Sequence, residues 1–281
     1  MSGLRIVVHR LEQRLFGIVV TAILILPMLS ACTVTGGEDV GSDIPEVLIE
    51  ATDAGYTVPA EVPSGIVAFK LVGEGEGILA RLNEGVTLEE VNEALTQPDP
   101  FAAIGLLSLL GGSSSAVDDR VTLDLKPGQH ILIMFASGGP PVTYPFMAEE
   151  PSGATAPTAD VTADLVSFNF AIPAEIATGP KVWQISNKGD QWHEMAIVKL
   201  NEGVTIDDLL ATMGESAGPP EGPPPYEQIA IWTPNSPGET GWVTWDLPPG
   251  EYTVICFLPD IAGEMMPHVA EGMVANLTVT E

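Results

Sequence analysis

The chain repeats itself, and a tandem repeat constrains its architecture more than any other feature. Val58-Pro-Ala-Glu-Val62 returns as Ile172-Pro-Ala-Glu-Ile176, an offset of 114 (Pro59 to Pro173). Leu82-Asn-Glu-Gly-Val-Thr87 returns as Leu200-Asn-Glu-Gly-Val-Thr205, an offset of 118 (Asn83 to Asn201). Leu125-Lys-Pro-Gly128 returns as Leu247-Pro-Pro-Gly250, an offset of 122 (Gly128 to Gly250). The order is constant and the offset grows by small steps, so one domain has been duplicated and the second copy has gained short insertions.

Each copy reads as a β-sandwich. In the second, strand-like runs cover 165–172, 180–186, 194–200, 228–232, 241–247, 252–257 and 274–279, separated by Gly- and Pro-rich turns. Thr205 is placed to cap a short helix whose first turn carries Asp207 and Asp208. The first copy follows the same plan with two expected departures. Residues 100–110 read as an apolar helix, and no clear last strand follows Pro145. The expected fold is therefore all-β: two Greek-key sandwiches with short helical insertions, over 44–150 and 161–281, joined by a Pro/Ala/Thr linker at 151–160.

The first 31 residues read as a signal peptide. Arg5, Arg10 and Arg14 precede an apolar run at 16–29, which ends in Leu29-Ser30-Ala31-Cys32. That tetrapeptide resembles the bacterial lipobox, which implies lipid on Cys32 and a membrane-anchored protein of the cell envelope, outside the cytoplasm. Residues 32–43 read as a tether.

With Cys32 lipidated, Cys256 is the one remaining thiol, and His130, His193 and His268 are the remaining histidines. Two of these histidines lie upstream of the cysteine and one follows it. His193 follows the Asn187-Lys-Gly turn, while Cys256, His268 and Met273 succeed one another near the C-terminal end. Singly, a Cys in a strand, a His and a Met are ordinary core or surface residues. Together, a thiolate, two imidazoles and a thioether make the ligand set of a blue-copper centre.

Here the second copy resembles the cupredoxins, the small sandwich domains of plastocyanin and azurin type. Asn187-Lys-Gly189 with His193, Pro249-Gly-Glu-Tyr252 leading to Cys256, and His268-Val-Ala-Glu-Gly-Met273 before a final strand carry the likeness. It implies that His193, Cys256 and His268 hold one copper ion, with Met273 as a weak axial ligand. Two features depart from the family. Eleven residues separate Cys256 from His268, more than the usual handful, and Glu194 stands where an Asn often ties the ligand loops together. At an offset of 122, Met134, Phe146 and Pro151 stand in the first copy for Cys256, His268 and Met273, so that copy is expected to hold no metal. His130 then matches Tyr252 and reads as a strand residue.

Ten basic residues against 38 acidic ones give a net charge of −28, which excludes nucleic-acid binding by bulk electrostatics. No phosphate loop is present, and three histidines are too few for a trinuclear copper cluster, so no enzymatic activity is expected. The leading expectation is one-electron transfer with an extracytoplasmic redox protein. A copper carrier exchanging the ion with a donor or acceptor, using His193, His268, Met265, Met266 and Met273, and a metal-free assembly module remain open.

Overall fold

A computed structural model describes residues 44–281 except 53–54, 74–75, 98–100, 113–119, 136–140, 213–222 and 264. These residues lie within one compact unit, Gly41–Glu281. The signal peptide at 1–31, the lipidation site Cys32 and the tether at 32–43 fall outside the described residues.

The first half runs β1 (Glu46–Thr52), β2 (Gly55–Thr57), β3 (Glu61–Val72), β4 (Glu76–Leu82), α1 (Leu88–Leu95), β5 (Leu107–Gly111), β6 (Arg120–Leu125), β7 (Gly128–Phe135) and β8 (Val142–Pro151). The second runs β9 (Val161–Val166), β10 (Asn169–Ala171), β11 (Glu175–Ala177), β12 (Lys181–Asn187), β13 (His193–Leu200), α2 (Ile206–Ala211), β14 (Tyr226–Asn235), β15 (Thr240–Trp245), β16 (Gly250–Ile255) and β17 (Val274–Thr280).

The two halves are wired alike. In the first, β1 lies parallel to β3, which pairs antiparallel with β6. In the second, β9 lies parallel to β12, which pairs antiparallel with β15. The opposing sheets correspond too: β5–β4–β7–β8 matches β14–β13–β16–β17. Both short helices begin with a capping box, Thr87 with Glu90 and Thr205 with Asp208, which satisfies the free N–H groups of a first turn. This is the all-β, tandemly duplicated sandwich architecture expected from the repeat.

The halves join through equivalent strands. β6 pairs antiparallel with β15 from Val121↔Val243 to Leu123↔Gly241, and β5 meets β14 at Leu110↔Asn235. Pairing like with like gives a local two-fold relation and covers edges that would otherwise be exposed. Trp232, fully buried, packs at this seam. A Cβ on Gly111, which has φ +89°, would come within 2.4 Å of its indole, so only glycine permits that approach.

Three expectations are corrected. Residues 100–110 do not form an apolar helix. A single 3₁₀ turn, Ile104–Leu106, leads into β5, because Gly105 weakens a helix and β4 offers an edge to pair. The first half does have its last strand, β8, and its sandwich is closed. The run 165–172 is not one strand but the β9–β10 hairpin, turned at Phe168 with φ +54°.

Strand register also corrects the expected counterparts. His130 pairs with Phe146 as Tyr252 pairs with Leu277, so Phe146 matches Leu277, and Val142 stands where Met273 stands. Met134 keeps the place of Cys256. Seven residues (135–141) follow it before Val142, where sixteen (257–272) separate Cys256 from Met273. The segment carrying His268 therefore has no full counterpart. On the other side, Glu76, the first residue of β4, takes the register of Glu194. The four-residue insertion of the second half thus sits in the turn before β13.

Candidate metal centre

Three of the four expected residues converge. His193 opens β13, Cys256 follows β16, and His268 lies between Cys256 and β17. The Nδ1 atoms of His193 and His268 are 3.1 Å apart, and Cys256 Sγ is 3.3 Å from His268 Nδ1. All three donor atoms lie within 4.8 Å of one another, and all three residues are fully buried. Met273 is also fully buried, in the same core cluster as Cys256. Its carbonyl accepts the Cys256 N–H at 3.3 Å, and its own N–H donates to the His268 carbonyl at 2.9 Å.

The long segment after Cys256 is closed off rather than loose. Val269 N–H donates to the Cys256 carbonyl at 3.0 Å, and His268 N–H to the Leu258 carbonyl at 2.7 Å. Pro259 and Pro267 form a bridge, so the residues between them make a side excursion. Asp260 secures it by accepting from the Ala262 and Gly263 N–H groups and from Gln191 Nε2 at 2.8 Å. The eleven intervening residues therefore leave the separation of Cys256 and His268 as small as a short loop would set it.

Glu194 performs the tie expected of an Asn. Its carboxylate accepts the Phe257 N–H at 2.9 Å, and its own N–H lies 3.5 Å from Cys256 Sγ. β13 is thereby joined to the thiol and to the residue after it.

The turn that presents His193 is built on Asn187, which is 1% exposed. Its Nδ2 donates to the Gln191 carbonyl at 2.8 Å and to the Asn235 carbonyl at 2.7 Å, and its Oδ1 accepts from Gly189 N–H at 2.9 Å. Gly189 approaches the ring so closely that a Cβ would come within 2.6 Å of His193 Nε2. The first half supports this turn from behind. Arg81 donates to Glu239 at 3.4 Å, and the Glu239 carbonyl accepts the Asn187 N–H at 3.0 Å. Leu109 and Ser236 exchange bonds of 2.9 and 2.8 Å across the same seam. Phe168 covers the other imidazole, edge-on to His268 with ring centroids 5.1 Å apart.

Electrostatically the pocket favours neutral ligands. Burial, aided by the His268 ring, pushes the His193 pKa down to about 4 against the pull of Asp190. Burial lowers that of His268 as well, opposed by Asp260. Burial and the Glu194 carboxylate push the Cys256 thiol up to about 12.

A copper ion fits this donor set. Two imidazole nitrogens and a sulfur face one another at contact distance among fully buried residues, so all three can turn a lone pair to one shared ion once the thiol proton is lost. The Nε2 atoms of both histidines are buried without a hydrogen-bond partner. Bonds of about 2.0–2.3 Å to a shared ion span donor separations of this size. Two imidazoles with one thiolate are the trigonal set that copper takes. Sequence reasoning singled out the three residues that converge here but missed the bonds of Asn187, Glu194 and Asp260 and the ring of Phe168 that surround them.

No protein-family model and no curated protein matches the chain. Solved structures do. Auracyanin B matches at 23% identity over 46% of this chain and 96% of its own, with a TM-score of 0.30. The dithionite-reduced auracyanin of Roseiflexus castenholzii matches at 24% identity over 43% of this chain and 94% of its own, also at 0.30. The multicopper oxidase McoA of Aquifex aeolicus matches at 12% identity over 85% of this chain and 66% of its own, at 0.26. A copper-containing nitrite reductase and a laccase are further matches. The expectation that the chain is no enzyme is corrected by these neighbours and is not retained.

Proposed function

We propose that this is a copper protein of the cell envelope that carries single electrons, with one ion in its C-terminal half held by His193 Nδ1, His268 Nδ1 and Cys256 Sγ. Met273, buried in the same core cluster as Cys256, would offer a thioether to the same ion. The observation that carries this reading is the convergence of three buried donors of the trigonal copper set at mutual distances that one ion spans. Bound copper would supply a one-electron couple between its two common oxidation states. The protein's part is to hold the donors. Glu194 fixes the thiol, the Asn187 turn fixes His193, and the Pro259–Pro267 pinch fixes His268, so little need move when the charge changes. Full burial suits a resident ion better than one handed on as cargo.

The lipobox-like Leu29-Ser30-Ala31-Cys32 supports attachment to a membrane through lipid on Cys32. Ile261, Met265 and Met266 are exposed on the excursion beside His268, which supports docking of an extracytoplasmic redox protein there. Among the described residues no helix is long and apolar enough to cross a membrane. The first half, with no counterpart of the ligand set, is assigned as a scaffold.

The test is to add Cu(II) to purified residues 41–281. An intense visible thiolate-to-copper band is expected in the parent and absent in Cys256→Ser. A parent without the band, or a band that survives the substitution, ends the proposal. In cells, Cys32→Ala should shift the protein from the membrane to the soluble fraction.

A further inference from the structure

Two side chains of the second half pack into the first, and both stand next to residues of the metal centre. The first half carries a hydrophobic cluster of its own beneath α1, separate from the core between its sheets. Ala80 of β4, Leu107 and Leu109 of β5, Ile131 and Ile133 of β7 and Val91 of α1 form it. Trp192, 7% exposed, joins it from the second half, and the half-buried Leu258 packs against it.

The place of each in the chain gives these contacts a consequence. Trp192 directly precedes His193 and lies in the turn that the second half has lengthened. Leu258 is two residues after Cys256, and its carbonyl accepts the His268 N–H at 2.7 Å. One cluster therefore grips the chain beside His193 and the chain between Cys256 and His268. The apolar run at 100–110, which copper binding leaves without a role, supplies part of the grip. Its Phe101 stands edge-on to Trp192 with ring centroids 5.5 Å apart. An indole in a close-packed cluster cannot shift without displacing what surrounds it, so the residue bonded to it is held as well.

From this we infer that Trp192 and Leu258 are positioning residues, through which the first half sets the placement of the His193 ring against the His268 ring. The consequence for copper rests on the proposed function. The placement of the two rings does not.

The experiment uses residues 41–281 with and without metal. In the metal-free parent, the His193 and His268 rings, with centroids 4.8 Å apart, should show mutual nuclear Overhauser contacts. These contacts should be lost in Trp192→Ala and in Leu258→Ala, weakened in Phe101→Ala, and kept in Trp192→Phe, which refills the cluster with a ring. With copper, Trp192→Ala should bind about tenfold more weakly and change the copper hyperfine splitting, and Trp192→Phe should restore both. Phe69→Leu, in the core between the sheets of the first half, separates positioning from stability. It should lower the Tm and leave the ring contacts and the copper signal unchanged. If Trp192→Ala does not fold, the half-buried Phe101 decides the matter through Phe101→Ala. Ring contacts of parent strength in Trp192→Ala or in Phe101→Ala, or an equal loss of them in Phe69→Leu, overturns the inference. A parent with the ring contacts and without a copper band overturns the proposed function alone, because the contacts are read with no metal present.

Discussion

At the scale of single residues, the pocket's own electrostatics decide how it takes a metal. Cys256 is protonated in the empty site, with its pKa pushed up to about 12, while His193, pushed down to about 4, is already neutral. Copper needs the thiolate and neutral imidazoles, so binding at neutral pH must expel the thiol proton and no other. The apparent affinity should then rise about tenfold per pH unit between roughly pH 5 and 9, and a weakly buffered titration should release about one proton per ion. Cys256→Ser should remove both effects. A flat affinity profile would show that the thiol is not a ligand. Gly189→Ala should displace the His193 ring, since the added carbon would come within 2.6 Å of Nε2. Loss of the copper band with unchanged circular dichroism is the expected result. The donor residues were legible in the sequence because their types and order are rare together. Asn187 was legible only as a turn residue, because its partner Asn235 lies 48 positions away and no local pattern reports that bond.

At the scale of elements, most strands were readable from alternation, and Thr205 marked the start of α2. The errors fell where a tertiary partner overrode the local signal. The apolar run at 100–110 looks helical until β4 supplies an edge, after which Leu107 and Leu109 are buried by strand alternation. The hairpin at Phe168 was hidden because a bulky residue at φ +54° is a conformation that no propensity favours. Its aromatic edge against His268 shows what that strained turn positions. The seam between halves is equally non-local. Glu239 pairs with Arg81 with both side chains mostly buried, 12% and 17% exposed, and its backbone supports Asn187. Glu239→Ala leaves the Arg81 guanidinium without its acid and should cost about 1–3 kcal/mol of stability in urea unfolding. If the seam positions His193, the same variant should also bind copper more weakly. Full retention of affinity would limit its role to stability.

At the scale of the whole molecule, the duplication has a physical consequence. The second copy brings His193, Cys256 and His268 together, while the first, with Met134 in the register of Cys256 and a shorter β7–β8 connection, keeps the strand pattern without that cluster among the described residues. Equivalent strands β6 and β15 pair across the join, so the halves share a sheet. Urea unfolding of residues 41–281 should therefore show one transition by tryptophan fluorescence and circular dichroism alike, and two separated transitions would show that the halves are independent. The most direct test of copper at this centre is X-ray absorption at the copper edge of the loaded protein. It should report one sulfur and two nitrogens as the near ligands, at about 2.0–2.3 Å, with the sulfur lost in Cys256→Ser. A near shell of nitrogen and oxygen alone in the parent protein would contradict it.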